Sequence, residues 1–188
     1  KTFDGDAADD IRTAVRAIQK RSEGLLHFTE TYRQLTRIPQ PKFQEVNAET
    51  LLEDVLTLFK PSLAEHKIRL TKQFPSAPLL IQVDPELMEQ VLINLVKNAM
   101  EAVKGAPDPA ISVAVSKDAE GTVLFQIADN GPGIPADLQE QIFVPFFTTK
   151  NEGSGIGLSL CRQIIQLHKG SLSVISKIGE GAVFIIRL

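Results

Sequence analysis

The chain has 188 residues, 43% of them hydrophobic and 23% charged, with a formal net charge of −3. That balance is ordinary for a protein with a real core, and without a cluster of Lys or Arg it offers no electrostatic reason to expect a nucleic-acid partner. A single cysteine, Cys161, excludes an internal disulfide framework and a Cys-based zinc site, and no apolar stretch approaches the roughly 18 residues needed to cross a bilayer. Cys161 lies in an apolar helical run and reads as a small buried hydrophobe. The chain opens on Lys1 and a polar "KTFDGDAADD" lead, which reads as a piece of a longer protein, with any membrane segment upstream.

From about Asp6 to Arg37 there is no Pro, and Gly24 is the only Gly. Apolar or small residues recur at Ile11, Val15, Ile18, Ser22, Leu25, Phe28/Thr29, Tyr32 and Leu35. This 4,3,4,3 spacing is a heptad seam on a long coiled-coil-like helix, which cannot bury its stripe alone. Pro39 and Pro41 then stop it. The expected division is therefore a helical region over 1–45 and a mixed α and β domain over 46–188.

In that domain the spacing predicts a helix over 48–66, strands over 68–74 and 79–84, and a strong helix over 85–104. Asp84 stands as its N-cap and Pro85 at its first position. Residues 110–116 and 122–129 read as a strand pair turning around Asp118–Gly121. A helix over 157–168 and two closing strands, 170–176 and 181–188, complete an α+β fold, a two-layer sandwich of one sheet and one helix layer.

Three polar segments stand out. On the helix after Asp84, Gln90, Asn94, Asn98 and Glu101 form one stripe at i, i+3/i+4 spacing. Asn is a poor helix former, and an amide oxygen suits a Mg²⁺ ion already carrying phosphates; a solvated face is the plainer reading. In "IADNGPGI" an apolar strand runs into Asp129, where a carboxylate either accepts from a buried amino group or caps a turn. Gly131 and Gly133 there permit close backbone approach or positive φ. In "FVPFFTTKNEGSGIGLSL", Gly153, Gly155 and Gly157 precede a helix whose N–H groups can hold phosphate oxygens, and Lys150 offers a point charge. This loop is neither a Walker P-loop nor a Rossmann fingerprint.

In order and content these segments resemble the catalytic domain of sensor histidine kinases, part of the GHKL superfamily shared with DNA gyrase, a heat-shock chaperone and a mismatch-repair ATPase. "NLVKNAMEA" looks like the N box, "DNGPGI" the first glycine box, "FVPFFTTK" the F box and "GSGIGLSL" the second glycine box; the short lid is similar to that of the nitrogen-regulation type sensor kinases. The resemblance implies the Bergerat ATP-binding fold, ATP and Mg²⁺ as ligands, and transfer of the γ-phosphoryl group to a histidine for relay to a response regulator receiver domain. It further implies a cytoplasmic homodimer joined through a helical bundle, reaching a membrane only through segments outside this sequence.

By the same resemblance, Asn98 would hold the Mg²⁺, Asn94 would assist phosphate and metal contacts, and Asp129 would bind the adenine amino group. Gly131 and Gly133 would let the nucleotide lie against the backbone. Gly153, Gly155, Gly157 and Leu158 would form the lid edge, with Lys150 reaching the γ-phosphate; Asn94 and Lys150 are thus the catalytic candidates. Phe146 or Phe147 would contact nucleotide or anchor the lid from the core. Two departures stand out: Ala182 occupies a position where many relatives carry Thr or Ser, and Glu101 one where other branches have Lys. Gyrase-type relatives activate water with a Glu where this chain has Asn94, so efficient ATP hydrolysis is not expected.

The acceptor histidine is harder to place. His66 and His168 read as structural or solvated. His27, in "HFTETY", has Thr31 at +4 but lacks an acidic residue at +1 and Pro at +5, and it lies on the helix leading straight into the catalytic domain. That makes this helix the second of a dimerisation hairpin, with the acceptor on an absent first helix. A nucleotide-binding regulatory module without transfer and an anti-sigma-type serine kinase are the alternatives on this fold.

Overall fold

In the computed structural model, residues 38–150 and 153–188 are described, together with 9, 11–16, 18, 19, 21, 22 and 29. The chain divides into two compact units, Lys1–Ile38 and Pro39–Leu188. In the first, all the described residues up to Thr29 are helical, and Ile11, Val15 and Ile18 of the heptad seam are 52%, 56% and 65% exposed. The rest of the seam from Leu25 to Leu35, apart from Thr29, lies outside the described residues, as does His27.

The second unit runs β1 (Gln44–Asn47), α1 (Ala48–Glu65), β2 (Arg69–Gln73), β3 (Leu80–Val83), α2 (Pro85–Ala102), β4 (Ala110–Lys117), β5 (Val123–Asp129), a 3₁₀ turn (Gln141–Phe143), α3 (Gly157–Leu167), β6 (Ser171–Lys177) and β7 (Gly181–Arg187). Five strands form the main sheet in the order β2-β4-β5-β7-β6, and α2 packs against both α1 and α3. This is the expected sheet and helix layer, with two differences. Strand β2 runs parallel to β4, a direction its sequence does not indicate, because α2 and β3 intervene between them and the chain returns in the same direction. And β3 leaves the main sheet to pair with β1, a strand not anticipated from sequence. Four residues reading QEVN carry no alternation of apolar and polar, so only the partner strand makes them β.

Strand parity explains the core. β4 and β5 alternate buried and half-buried residues, so Ile111, Val113, Val115, Phe125 and Ile127 face the helices. Leu87, Val91, Leu95, Val96 and Ala99 of α2 meet this inner side, each less than 8% exposed; burying a Leu or Val side chain stabilises by about 1.5–3 kcal/mol. Cys161 of α3 is fully buried in the same layer, which pushes its thiol up to about 12 and leaves it un-ionised.

The helix ends are set by local chemistry. Asn47 caps α1 through Oδ1, which accepts from the N–H groups of Glu49 and Thr50. Asp84 caps α2, its Oδ1 accepting from Leu87 N–H at 3.1 Å with Pro85 at the start of the helix, as its sequence indicates. Its other oxygen accepts from Lys42 N–H at 2.7 Å, and His168 Nε2 accepts from Asp84 N–H at 2.9 Å. The His168 Nδ1–H therefore points to the Ile164 carbonyl, 2.8 Å away, and Phe43 meets the imidazole edge-on at 5.4 Å. His168 is thus a buried structural group that ties the ends of α2 and α3 to the chain entering β1. His168→Ala leaves the buried Asp84 N–H without an acceptor, so it should lower unfolding free energy by about 1–3 kcal/mol in urea titrations. An unchanged midpoint would show that the node carries no stability.

Candidate functional site

The polar stripe of α2 is the floor of the site, and the sheet, the first glycine segment and the loop before α3 converge on it. Asn94 and Asn98 are half-buried and Glu101 is exposed, so the stripe faces outward between the apolar flanks of the helix. The structure brings each of the three polar segments against a different part of this floor.

Asp129 is the deepest group. It continues the inward parity of Val123, Phe125 and Ile127, so the last residue of β5 directs a carboxylate to the helix side of the sheet. It is only 7% exposed. Gly131 N–H donates to its Oδ1 at 2.9 Å, and the Asp129 backbone pairs with Ala182 across the β5–β7 ladder. Burial nonetheless outweighs the nearby backbone N–H groups and the attraction of Lys150, and raises the pKa above the ordinary 3.8. A buried acceptor with only part of its capacity used suits an amino group entering from the cleft. The carboxylate's anchor is the Gly131 N–H, so the absent hydroxyl at Ala182 does not remove it.

Gly131 sits where a side chain would collide: a Cβ there would lie 2.8 Å from both the Ala102 carbonyl and Asp129 Oδ1. The first glycine segment is thereby pressed onto the end of α2. Gly133 lies against the Lys177 carbonyl, so the protein itself fills the space that both glycines leave open. Asn130 secures the same turn, with Oδ1 accepting from Ala110 N–H and Nδ2 donating to the Asp108 carbonyl.

The second glycine segment closes the other side. A Cβ at Gly157 would lie 3.4 Å from Asn94 Oδ1, which places the first residue of α3 beside the stripe. Leu158 follows it, half-buried, in the first turn. Phe146 N–H donates to the Gly155 carbonyl at 2.9 Å, clasping the base of the intervening loop. Phe146 adopts φ +67 and is 41% exposed, while Phe147 is half-buried and Phe143 is buried beneath Arg162, whose guanidinium lies 4.0 Å from the ring. Thus Phe143, rather than Phe146, anchors this segment in the core. Gly153 packs on Thr148, whose Oγ1 accepts from Lys150 N–H at 3.0 Å.

From that turn Lys150 reaches across the cleft. Its Nζ lies 3.3 Å from Asn98 Oδ1 and 2.5 Å from Glu101 Oε2. Glu101 therefore stands in the site as the partner of Lys150, a role invisible in sequence because the two are 49 positions apart. Gly181 was also missed: its Cβ position would lie 1.9 Å from the Asp129 carbonyl oxygen. The one available signal was a second Gly beside Gly179 in a short hairpin.

A family model described as histidine kinase-, DNA gyrase B-, and HSP90-like ATPase matches residues 83–188. The chain belongs to this family. The matched span begins just before α2 and takes in every residue of the convergent site. Within the family the chain resembles histidine kinases: the catalytic domain of histidine kinase ThkA is 36% identical with a TM-score of 0.71, the match covering 78% of this chain and 95% of that one. ThkA in complex with the response regulator protein TrrA aligns over the whole of this chain and 52% of the kinase, at 28% identity and a TM-score of 0.75. Full-length ShkA in complex with AMPPNP aligns at 26% identity and a TM-score of 0.75, over 94% of this chain and 38% of that one. Among curated proteins, the C4-dicarboxylate transport sensor protein DctS of Rhodobacter capsulatus is 34% identical over 149 residues, covering 79% of this chain. The chain spans only 23% of that protein's length and 27% of that of AtoS, a signal transduction histidine-protein kinase of Escherichia coli K12. The resemblance to sensor histidine kinases is thus borne out, as is the α+β fold. Among the described residues no helix is long and apolar enough to cross a membrane.

Proposed function

We propose that the unit from about residue 46 binds ATP with Mg²⁺ and transfers its γ-phosphoryl group to a histidine on a helix outside this sequence, for relay to the receiver domain of a response regulator. The observation that carries this reading is that the polar stripe of α2 gathers both glycine segments: Gly157 lies beside Asn94 Oδ1, Lys150 Nζ lies 3.3 Å from Asn98 Oδ1, and Gly131, hydrogen-bonded to Asp129, packs on the end of the helix. The helical segment before it is the second helix of a dimerisation hairpin, and the intact protein a homodimer in the cytoplasm. That ThkA is seen with a response regulator and ShkA with a non-hydrolysable ATP analogue supports both partners.

In this reading Asp129 accepts from the adenine amino group and so excludes guanine, whose carbonyl at the same place offers no proton. The N–H groups at the start of α3 and the Lys150 ammonium hold phosphate oxygens. Asn98 would hold the Mg²⁺; its amide oxygen is a neutral, hard donor, and the Lys150 ammonium lies 3.3 Å from it. A bound Mg²⁺ would neutralise charge on the β- and γ-phosphates during transfer. The acceptor imidazole nitrogen attacks the γ-phosphorus as its bond to the β,γ-bridging oxygen breaks, and ADP leaves. Asn94 has no carboxylate with which to activate water, so ATP is conserved for this transfer.

Incubating the chain with γ-labelled ATP and a separate peptide carrying a first dimerisation helix should place acid-labile label on the peptide. Nucleotide binding with no transfer would instead make this a regulatory module, and acid-stable label on a serine would make it an anti-sigma-type kinase.

A further inference from the structure

The Lys150 ammonium stands between two oxygen atoms of one helix face. Asn98 Oδ1 and Glu101 Oε2, at i and i+3 on α2, point to a common position that Nζ occupies at 3.3 and 2.5 Å. An ammonium only donates, so both oxygens act there as acceptors for a cation. We propose that Glu101 supplies a second protein oxygen, beside the Asn98 amide, to the divalent cation that accompanies the nucleotide, and that Lys150 holds this position until the cation takes it. The inference rests on the nucleotide-binding reading above and assigns Glu101 a part in it.

Three observations favour exchange over a fixed ion pair. Lys150 and Glu101 are 47% and 41% exposed, and a pair this open to water contributes little to stability, so it separates readily. The Lys150 backbone is fixed independently by Thr148 Oγ1, which lets the side chain swing while the turn stays in place. Charge balance then decides where Glu101 belongs. When Lys150 turns to the phosphates, Glu101 is left as a carboxylate beside a polyanion, and like charges at that distance repel. A divalent cation between carboxylate and phosphates removes the repulsion, and carboxylate and amide oxygens are both hard donors suited to Mg²⁺. A Lys at this position would serve phosphate directly; a Glu makes the site depend on metal.

The test follows Mn²⁺ by electron paramagnetic resonance, titrated into the full chain at saturating AMPPNP, with nucleotide affinity measured separately by calorimetry. Glu101→Gln should weaken Mn²⁺ retention about tenfold, and Glu101→Asp should recover most of the loss. The same tenfold loss should persist in a Lys150→Met background, where Glu101 has no lysine left to hold. Equal Mn²⁺ retention by wild type and Glu101→Gln would overturn the proposal, and so would a loss that vanishes once Lys150 is methionine, since Glu101 would then be only a tether. A wild-type chain that binds no AMPPNP would remove the nucleotide reading as well, an outcome separable by the calorimetry. Because Glu101 is exposed, its variants keep the fold, which a thermal melt verifies.

Discussion

Replacing Asp129 with asparagine should abolish adenine-nucleotide binding while leaving the fold at least as stable as before. The carboxylate is 7% exposed at the end of β5 and accepts from the Gly131 N–H. Asparagine keeps that acceptor in Oδ1 but turns an amide N–H toward an adenine amino group, setting donor against donor. Losing a charged hydrogen bond and stranding a buried donor together cost about 3–4 kcal/mol of binding, or roughly 100-fold or more in affinity. Stability moves the other way. Burial raises the pKa of Asp129 above 3.8, so its ionised form is disfavoured in the folded state relative to the unfolded chain. That penalty is present at neutral pH and is relieved as pH falls through the folded pKa, and asparagine removes it at every pH. The same shift gives wild-type binding its own signature: affinity for ADP should fall on acidification at a higher pH than an ordinary aspartate would produce. Calorimetric titration across pH, with a thermal melt of each protein, measures all three effects. Retained ADP affinity in the asparagine variant would remove Asp129 from the adenine site.

The second large effect is expected at Gly181, which touches no ligand in any reading. It has φ +86, and an added Cβ would lie 1.9 Å from the Asp129 carbonyl oxygen and 2.9 Å from Asn130 Cα, both backbone atoms that cannot rotate aside. Gly181→Ala therefore combines left-handed strain with a clash that pushes β7 from β5, for a loss of about 2–5 kcal/mol. The displaced strand pairs with the Asp129 backbone through Ala182, so the carboxylate shifts with it and nucleotide affinity should fall with stability. Gly179 is the control: it also has positive φ, at +80, but nothing lies within 4 Å of its Cβ position. Gly179→Ala should lose only about 1–2 kcal/mol and keep its affinity. Urea midpoints for the two variants, with ADP titrations, separate crowding from conformational strain; equal losses would show that the contact with Asp129 is unimportant.

Much of the fold was legible because its signals are local. Asp84 and Pro85 mark the start of α2 by cap chemistry that needs no neighbours, and the alternation in β4 and β5 marks their inner face at the same time. That parity also bears on Asp129: a carboxylate two residues beyond Ile127 must share its side of the sheet. The strand β1 was not legible, since its four residues carry no period and become β only by pairing with β3. The parallel placement of β2 beside β4 was equally hidden, being a matter of how the intervening helix returns the chain.

The same division runs through the site. The stripe of Asn94, Asn98 and Glu101 follows from helical spacing alone, and so does its exposure on one face. The ordered glycine segments marked the loops proposed to face the nucleotide, and by themselves they brought the family within reach. What tertiary structure decided is what each residue meets. Gly131 is small because the Ala102 carbonyl and the Asp129 carboxylate crowd it, Gly181 because the Asp129 backbone does, and His168 is buried because Asp84 needs an acceptor for its N–H. Lys150 and Glu101 became partners across 49 positions, turning an apparent departure from family pattern into a candidate cation ligand. Sequence determines which groups a helix or strand presents on its own periodic face, because that depends on neighbours a few residues away. Which groups on different faces neutralise, crowd or hold one another depends on packing, and only the folded chain sets those distances.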